Sequence, residues 1–325
     1  MKDAIGHNCE KVLIGGGNCE LCGATSRDDF LKGEVRCSFE VSPQRKAIWR
    51  VLLDMLEIFE DICEKHSLRY YASGGTLLGA ARHHGFIPWD DDIDVAMPRE
   101  DYERLQQILP GELPGHLFMQ TTLTDPEYDI CHLKIRDSRT TAIEKAHAVR
   151  WKRRYNMGMF LDVFPLDDIP DDDKILRKAE RKHRLMRSLH IVALRHRFEN
   201  FKQRIATFLV RPALKILGNR RFYNMREDIL RRIPRAAEGG RVLLGGGEFP
   251  FSPVWMGRRE WYAGPAVVLP FEYLHIRAPA QYEKCLEQQY GSDWRTPKKI
   301  PACHSIDMNP GEPYERELEE ILRNK

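Results

Sequence analysis

The sequence lacks several features that would place it in a common class of protein. Its 325 residues contain no run of ~18 uncharged apolar residues, the length of a membrane-spanning helix. The first residues do not show the basic-then-apolar order of a signal peptide. The run Gly15-Gly16-Gly17 is not followed by the Gly-Lys-Ser/Thr of a phosphate loop. We therefore expect a cytoplasmic chain that neither spans a membrane nor binds nucleotide through a P-loop.

The cysteines are few and unevenly placed. There are eight, and in a cytoplasmic chain we expect them to be reduced rather than paired in disulfides. Cys19 and Cys22 have the C-x-x-C spacing of half a zinc site. The candidate ligands near the N-terminus are His7, Cys9, Cys19, Cys22 and Cys37. Because the other spacings are irregular, two interpretations stay open: a structural Zn²⁺ site, or free thiols in a loosely ordered arm.

The most informative segment is GGTLLGAARHHGFIPWDDDIDV, residues 74–95. In Asp92-Ile93-Asp94-Val95 charged and apolar residues alternate, and in an extended strand this alternation places both aspartates on one face. Two adjacent carboxylates repel each other unless a cation lies between them. Oxygen ligands of this kind favour Mg²⁺ or Mn²⁺ over Zn²⁺. A calcium loop is not favoured, because the D-x-[DN]-x-[DN]-G pattern is absent.

Glycines precede these carboxylates. Gly74, Gly75 and Thr76 follow a strand candidate at Tyr70-Tyr71-Ala72 and begin a helical pattern. Backbone N–H groups of a glycine turn at a helix N-terminus can approach phosphate oxygens, and the helix dipole favours an anion there. The order of the motif thus predicts a phosphate-binding turn followed by a metal-binding strand. The alternative is an ordinary loop followed by a solvated acidic turn.

At these residues the chain resembles the LicD family, which includes the fukutin-related proteins and belongs to the nucleotidyltransferase superfamily with a polymerase-β-like core. The similarity continues in Leu133 to Asp137, in Gly158 to Asp167, and in Tyr290 to Trp294. It extends from about Ser42 to about His304 and is strongest before Asp168. The resemblance implies that Asp92 and Asp94 are the metal-binding pair of the superfamily.

The resemblance also implies a third carboxylate on a later strand, for which Asp162 is the candidate. Asp162 interrupts an apolar run, residues 160–164, where an ionised carboxylate is costly unless it has a partner or a metal. The alternative is a strand-end aspartate that caps a turn. Asp167 and Asp168 follow a proline, so we predict that they lie in a loop or cap a helix before Pro170.

Several basic residues are further candidates for the site. Lys134 and Arg136 alternate along a strand candidate, so both could face the site and neutralise a diphosphate; the alternative is a solvent-facing edge strand. The resemblance favours Arg82 and His83 as residues that support the site, against a partly exposed helix end. It also favours His304 as a substrate contact, against a surface histidine.

The order of helices and strands predicts an α/β (α+β) fold. A chain of this length with 42% hydrophobic residues can bury one large core or two packed ones. Helices are expected to begin at Ser42-Pro43 and at Pro98, and β-like runs lie near 117–120, 131–136 and 160–164. The predicted parts are a Cys-rich arm, a nucleotidyltransferase (polymerase-β-like) mixed-sheet core, a basic helical insert, and a helical C-terminal part that closes the site. Their bounds are 1–41, 42–170, 171–240 and 241–325.

The insert is strongly basic. Residues 174–235 hold 19 Lys or Arg and 4 Asp or Glu, a net charge of +15, whereas the remaining 32 basic and 44 acidic residues carry −12. Apolar residues recur there at helical spacing, with an interruption expected at Pro212: Phe198, Phe201, Ile205, Phe208, Leu209, Ile216 and Leu217. One interpretation is an amphipathic surface for an anionic membrane, which would make the protein peripheral on the inner face of the plasma membrane. The other is a helix that packs its apolar side on the core. Nucleic-acid binding is not favoured, because no nucleic-acid motif accompanies the charge.

The resemblance implies an enzyme that transfers a phosphorylated alcohol, such as phosphocholine, from a CDP-activated donor to a hydroxyl of a cell-surface glycan, releasing CMP. The acceptor would be lipopolysaccharide, teichoic acid or a capsule precursor. The residues by themselves support only metal-dependent phosphoryl or nucleotidyl transfer. Two alternatives stay open: a nucleotidyltransferase that releases pyrophosphate, and a membrane-associated scaffold without chemistry. Aromatic residues that could surround a quaternary ammonium, or simply pack in the core, are Trp89, Tyr155, Trp255 and Trp261.

Overall fold

The computed structural model describes residues 27, 29–128, 130–143, 154–194, 198, 200–234, 239–245, 251, 253–298 and 306–323. The helices in these ranges are α1 Pro43–Lys65, α2 Gly74–His83, α3 Arg99–Glu112, α4 Asp173–Ala193, α5 Phe201–Leu217, α6 Asn219–Arg231, α7 Tyr282–Tyr290 and α8 Tyr314–Arg323. The strands are β1 Glu34–Arg36, β2 Phe39–Val41, β3 Tyr71–Ala72, β4 Ile93–Pro98, β5 Leu117–Gln120, β6 Leu133–Asp137, β7 Thr141–Ile143, β8 Met159–Ile169, β9 Arg241–Leu244, β10 Met256–Arg258, β11 Val267–Phe271, β12 Leu274–Ala278 and β13 Asp307–Asn309.

A seven-stranded mixed sheet forms the centre of the fold. Its longest strand is β8, which pairs with three others. β4 pairs with β8 in parallel, and β3 continues the sheet beyond β4 in antiparallel orientation. On the other edge of β8, β6 pairs with its first half and β9 with its second half, both antiparallel. β5 and β10 complete the sheet outside β6 and β9. The predicted mixed α/β architecture is confirmed.

Helix α1 covers the sheet through an apolar face. Ser42 caps it by accepting the Arg45 N–H at 3.2 Å, and Pro43 occupies the first turn, where its missing N–H costs nothing. The spacing of its apolar residues is helical, so Trp49, Leu52, Leu53, Leu56 and Phe59 all fall on the buried side. Burying each of these side chains contributes about 1.5–3 kcal/mol. The prediction that a helix begins at Ser42-Pro43 is confirmed, as is the one at Pro98, which precedes α3.

Strand β8 is longer than the sequence indicates. We predicted a loop or helix cap at Asp167 and Asp168, but both lie within β8. The prediction was wrong because Asp167 has a partner that makes its burial tolerable. The Arg99 guanidinium donates to both Asp167 carboxylate oxygens at 2.7 Å and to Glu227 Oε2 at 2.8 Å. A paired carboxylate can stay in the sheet where an unpaired one could not.

Along the chain, the helices α4, α5 and α6 come between β8 and β9, two strands that are neighbours in the sheet. β8 and β9 are antiparallel partners, and the chain leaves the sheet at Ile169 and returns at Arg241. The predicted basic insert, 171–240, coincides with this excursion. Glu227 of α6, fully buried against Arg99, joins the insert to the core. Pro212 does not interrupt α5, which runs through it.

The described part of the N-terminal arm packs on the core. β1 and β2 form a hairpin, and Phe30 and Val41 are fully buried in the main apolar cluster. The Cys37 Sγ lies 3.5 Å from Nδ1 of His83. Cys9, Cys19 and Cys22 lie outside the described residues, so the zinc site stays a prediction. Within the ranges given above, no helix combines the length and apolar character needed to cross a membrane.

Candidate active site

A cavity of 430 Å³ opens where β4 begins. Its walls come from two parts of the chain. The residues that line it are Ser73, Gly74, Gly75, Leu78, Arg82, Ile87, Trp89, Asp90, Asp91, Asp92, Asp94, Phe164, Leu244, Trp255, Tyr290, Asp293, Trp294, Thr296 and Lys298. Four aspartates and the start of α2 form one side, and aromatic and basic residues from 255–298 form much of the other. The predicted pair, Asp92 and Asp94, lies on this one cavity.

Two carboxylates face each other across neighbouring strands. β4 and β8 are parallel, and their register pairs Asp94 with Asp162. Paired strands lie about 4.8 Å apart, so the two side chains emerge at a similar separation. Burial, followed by repulsion from Asp92, Asp162 and Asp90, raises the pKa of Asp94 well above its ordinary value. The sheet itself thus brings carboxylates together in an acidic centre, and their mutual repulsion favours the protonated form of Asp94.

The acidic loop, Asp90–Asp92, adds further carboxylates. One oxygen from each of its three aspartates lies within 4.8 Å of the other two. The loop is held from behind, since Arg45 Nη1 and Trp49 Nε1 of α1 both donate to the Asp90 carbonyl, at 3.0 and 2.9 Å. Burial, then Asp92 and Asp91, raises the pKa of Asp90. These oxygen ligands suit a divalent cation such as Mg²⁺.

Asp90 and Asp91 were not among the predicted site residues. The acidic run from Asp90 to Asp92 is visible in the sequence, but only the alternating pair Asp92 and Asp94 was assigned to the metal site. A run of adjacent carboxylates does not by itself show that they converge. Here the loop is fixed by α1, and this long-range contact turns the run into a cluster.

Asp162 is held by two basic side chains rather than open to the cavity. Lys134 Nζ donates to its Oδ2 at 2.7 Å, and His132 Nε2 lies 3.1 Å from its Oδ1. Although burial opposes ionisation of Asp162, Lys134 and His132 outweigh it and hold the pKa of Asp162 well below its ordinary value. Asp162 is therefore ionised beside Asp94. His132 was missed, and its alternation with Lys134 along the strand was the signal that could have found it.

Arg136 lies apart from the cavity. Its Nε donates to Gln120 Oε1 and its Nη1 to the Gly158 carbonyl, both at 2.6 Å, and it is buried beside the Phe160 ring. The alternation with Lys134 correctly places both on one face of β6, and both are buried rather than on a solvent-facing edge. Two residues of a strand span about 6.6 Å, however. That distance takes Arg136 away from Asp162 and toward these backbone and amide partners.

The glycines stand against the carboxylates. Gly74 has φ +53°, a conformation that favours glycine, and a Cβ there would lie 2.9 Å from Asp94 Oδ2. A Cβ on Gly75 would lie 2.5 Å from Asp90 Oδ2. Thr76 is buried and does not line the cavity, but its Oγ1 accepts the Asp94 N–H at 2.8 Å. The start of α2 is therefore shaped to fit the acidic centre closely.

Arg82 and His83 occupy the end of the same helix. Arg82 lines the cavity, and its Nη1 donates to the Trp294 carbonyl at 2.9 Å. Its Nε donates to His83 Nε2 at 2.9 Å. His83 is buried, and burial, reinforced by Arg82, lowers its pKa to about 3, so it is neutral. His83 thus orients Arg82, and Arg82 joins α2 to the opposite wall. His304 lies outside the described residues.

Aromatic side chains form much of the remaining wall. Trp89 and Trp255, two of the four predicted aromatic candidates, line the cavity together with Tyr290 and Trp294. Burial, then Asp94, Asp90 and Asp92, raises the pKa of Tyr290, so its hydroxyl keeps its proton. Lys298 also lines the cavity and is paired with Asp293. Sequence reasoning did not identify Tyr290, Trp294 or Lys298 as site residues, because they follow the acidic loop by about 200 residues.

Part of the chain is similar in sequence to known proteins. Residues 67–190 match the family described as LicD/FKTN/FKRP, nucleotidyltransferase domain. The chain is 38% identical over 135 residues to the lipopolysaccharide cholinephosphotransferase LicD of Haemophilus influenzae, covering 41% of this chain and 48% of that protein. It is 38% identical over 63 residues to the human ribitol 5-phosphate transferase FKRP, covering 19% of this chain and 13% of that protein. The chain thus spans about half of the first relative's length and much less of the second's. The resemblance seen in the sequence is confirmed.

Proposed function

We propose that this chain, which carries a LicD-family nucleotidyltransferase domain over residues 67–190, is a phosphotransferase acting on a glycan. It would transfer a phosphorylated alcohol from a CDP-activated donor to a glycan hydroxyl and release CMP. The central observation is the parallel pairing of β4 with β8, which sets Asp94 beside Asp162 at the edge of a cavity that the three aspartates of the acidic loop also line. In this proposal the mixed sheet is a polymerase-β-like core.

The acidic centre is suited to hold Mg²⁺ or Mn²⁺. Asp92 and Asp94 would be ligands, with Asp90 and Asp91 in reach. The ion would supply charge neutralisation of the diphosphate and polarise the transferred phosphoryl group. The raised pKa values of Asp90 and Asp94 support this assignment. They show that the clustered carboxylates repel one another, and a bound cation would relieve that repulsion. Asp162 would ligate the metal or accept the acceptor's proton. The Lys134 contact keeps it ionised, which favours the first role, because the lowered pKa makes Asp162 a weaker base.

The remaining side chains would position the donor. Gly74 and Gly75 let the N-terminus of α2, where the helix dipole favours an anion, lie against the acidic centre and so beside the proposed position of the donor phosphates. Arg82 and Lys298 are the basic members of the cavity lining given above, so they are better placed than Arg136 to offset the diphosphate charge. Lys134 does not line the cavity and would act indirectly, by holding Asp162.

The transferred alcohol is proposed to be choline. Trp89, Trp255, Tyr290 and Trp294 offer aromatic faces to the cavity, and such faces attract a quaternary ammonium by about 0.5–2 kcal/mol each. A polyol such as ribitol would instead use the hydrogen-bonding side chains of the lining, such as Thr296 and Lys298, and would gain little from the aromatic rings. The acceptor class is a glycan of the cell surface, such as lipopolysaccharide, teichoic acid or a capsule precursor.

Mass spectrometry of the products tests the reaction. The protein is incubated with Mg²⁺, a glycan acceptor, and either CDP-choline, CDP-ribitol, CDP-glycerol or a nucleoside triphosphate. We expect CMP from CDP-choline, and a loss on the order of 10³-fold in Asp92→Asn, about 4 kcal/mol of barrier. Asp61→Asn, a change of the same chemistry on the exposed side of α1, is the matched control and should keep full activity.

Each other result has a defined meaning. Pyrophosphate released from a triphosphate would identify a nucleotidyltransferase. If CMP is released from CDP-ribitol and from no other donor, the proposed reaction type stands but the transferred alcohol is ribitol, not choline. An Asp92→Asn variant as active as wild type would remove the metal-pair assignment. No turnover with any donor and acceptor would favour the scaffold.

A further inference from the structure

Helix α5 exposes an unusually apolar face. Phe201, Phe208, Leu209 and Ile216 are 72, 78, 68 and 85% exposed, and Ile205 between them is 44% exposed. At 3.6 residues per turn these positions fall within one side of the helix. Single exposed apolar residues are common on soluble proteins, but five along one helix form a continuous patch, and such patches mark interaction sites.

The opposite face of α5 already holds the helix in place. Thr207 donates to the Val192 carbonyl of α4 at 3.1 Å, and Leu214 packs in an apolar cluster with Ala193 and Phe222. Arg211 Nε donates to the Ala193 carbonyl at 3.0 Å. The exposed residues therefore do not serve the packing of α5 on its neighbours. One apolar side of the helix therefore packs inward, and a second faces outward.

Basic side chains border the exposed side. Lys202, Arg204 and Lys215 are exposed on α5, and residues 201–217 contain no Asp or Glu. On a helical projection Arg204 and Lys215 fall on one side of the apolar stripe and Lys202 on the other. The stripe is thus apolar along its centre and positive along both margins. It lies within a segment that carries a net charge of +15.

We propose that this face of α5 docks on the surface of an anionic lipid bilayer. Lipid headgroups complement the basic margins, and the acyl region just beneath them accepts Phe201, Phe208 and Ile216. A second copy of the chain is a poor partner, since the same positive margins would meet across the interface. Nucleic acid would satisfy the charge but leave the aliphatic side chains in water.

The length of the helix fits a peripheral position. Its 17 residues extend about 25 Å, and with basic residues on both margins it lies along the interface instead of crossing it. Glu227 and Arg99 join the insert to the sheet, so a docked α5 would hold the cavity at a defined place relative to the membrane. This inference goes beyond the proposed reaction and does not depend on it.

Vesicle co-sedimentation tests the proposal with the full chain and no donor, so failure of the proposed reaction leaves the result unaffected. Vesicles of phosphatidylcholine with about one third phosphatidylglycerol are compared with phosphatidylcholine alone. We expect binding to the anionic vesicles only, weakened by salt, and lowered on the order of 10-fold or more in Phe208→Glu/Ile216→Glu. Val268→Glu, a 61% exposed apolar residue on β11, is the matched control and should bind like wild type.

Other results would overturn the proposal. If wild type fails to bind anionic vesicles, or if Val268→Glu weakens binding as much as the α5 variant, the face is not a lipid surface. If sedimentation velocity instead shows a dimer that Phe208→Glu/Ile216→Glu dissociates, the occupant is a second copy. A triple variant, Lys202→Gln/Arg204→Gln/Lys215→Gln, separates the contribution of the basic side chains to vesicle binding from that of the apolar ones. We expect it to abolish the salt dependence while circular dichroism shows a folded protein.

Discussion

Replacing Asp94 by Asn should stabilise the metal-free protein while disabling it. Asp94 shares its surroundings with Asp162 on the adjacent strand and with the acidic loop, and its pKa is raised. A group whose pKa is higher in the folded than in the unfolded state stabilises the fold only while it is protonated. As the pH rises above the ordinary aspartate value of about 3.9, the unfolded chain ionises first and stability is lost. Asparagine carries no charge and avoids that loss.

The size of the effect follows from the strand spacing. Two carboxylates about 5 Å apart repel by about 3 kcal/mol at an effective dielectric constant of about 20. Lys134, which pairs with Asp162, offsets part of this repulsion. We therefore expect Asp94→Asn to gain about 1–3 kcal/mol at neutral pH without metal. At about 2.1 cal/mol/K of unfolding entropy per residue, this raises Tm by about 2–4 °C.

Magnesium should make wild type the more stable of the two proteins. A cation that binds only the folded state at 100 times its Kd adds about 2.7 kcal/mol, and the variant has lost one of the proposed ligands. The assay is thermal denaturation followed by circular dichroism, with chelator and then with excess MgCl₂. Wild type should be the less stable protein in chelator and gain more from Mg²⁺. An Asp94→Asn variant that is less stable than wild type in chelator, or an equal gain from Mg²⁺ in both, would refute the reasoning.

Two further changes probe the neighbouring structure. In Gly75→Ala the new Cβ would lie 2.5 Å from an oxygen of the acidic loop, so the loop must move. We expect turnover, measured by steady-state kinetics, to fall on the order of 100-fold with folding retained. The control is Gly111→Ala, because no atom lies within 4 Å of the Cβ that it adds. Lys134→Met leaves buried Asp162 with His132 as its remaining side-chain partner and should cost about 3 kcal/mol in urea unfolding at neutral pH. Because pairing lowers the pKa of Asp162, that cost should shrink as the pH falls below about 4, and Lys134→Met/Asp162→Asn should recover part of it. A double variant no more stable than the single one would contradict the pairing.

The parts of the site that depend on local sequence could be predicted. Alternation at Asp92 and Asp94 and the glycines before them are short-range patterns, and they lie together on the cavity. The parts that depend on strand register could not. Nothing near Asp162 in the sequence indicates that Lys134 will neutralise it, because that contact joins β6 to β8 across 28 residues.

Asp167 shows the same limit for the fold. The proline before it is a sound local signal for the end of a strand. Arg99, 68 residues away, supplies a bidentate partner, and the strand continues. Similarly, the helical spacing of α5 predicts an amphipathic helix, but only the packed side at Leu214 shows that the other apolar side is left exposed.

The two walls of the cavity have different origins along the chain. The aspartates of the acidic loop and β4, the glycines and Phe164 all come from residues 67–190, the part that matches the family. Trp255, Tyr290 and Trp294 come from outside it. Trp255 packs on the apolar cluster that contains Ala96 of β4 and Phe164 of β8. Changes at these three residues can therefore alter the aromatic wall while the aspartates of the acidic loop and β4 are retained. Such a division would let a lineage exchange one alcohol for another by drift in its C-terminal third while the chemistry is inherited intact.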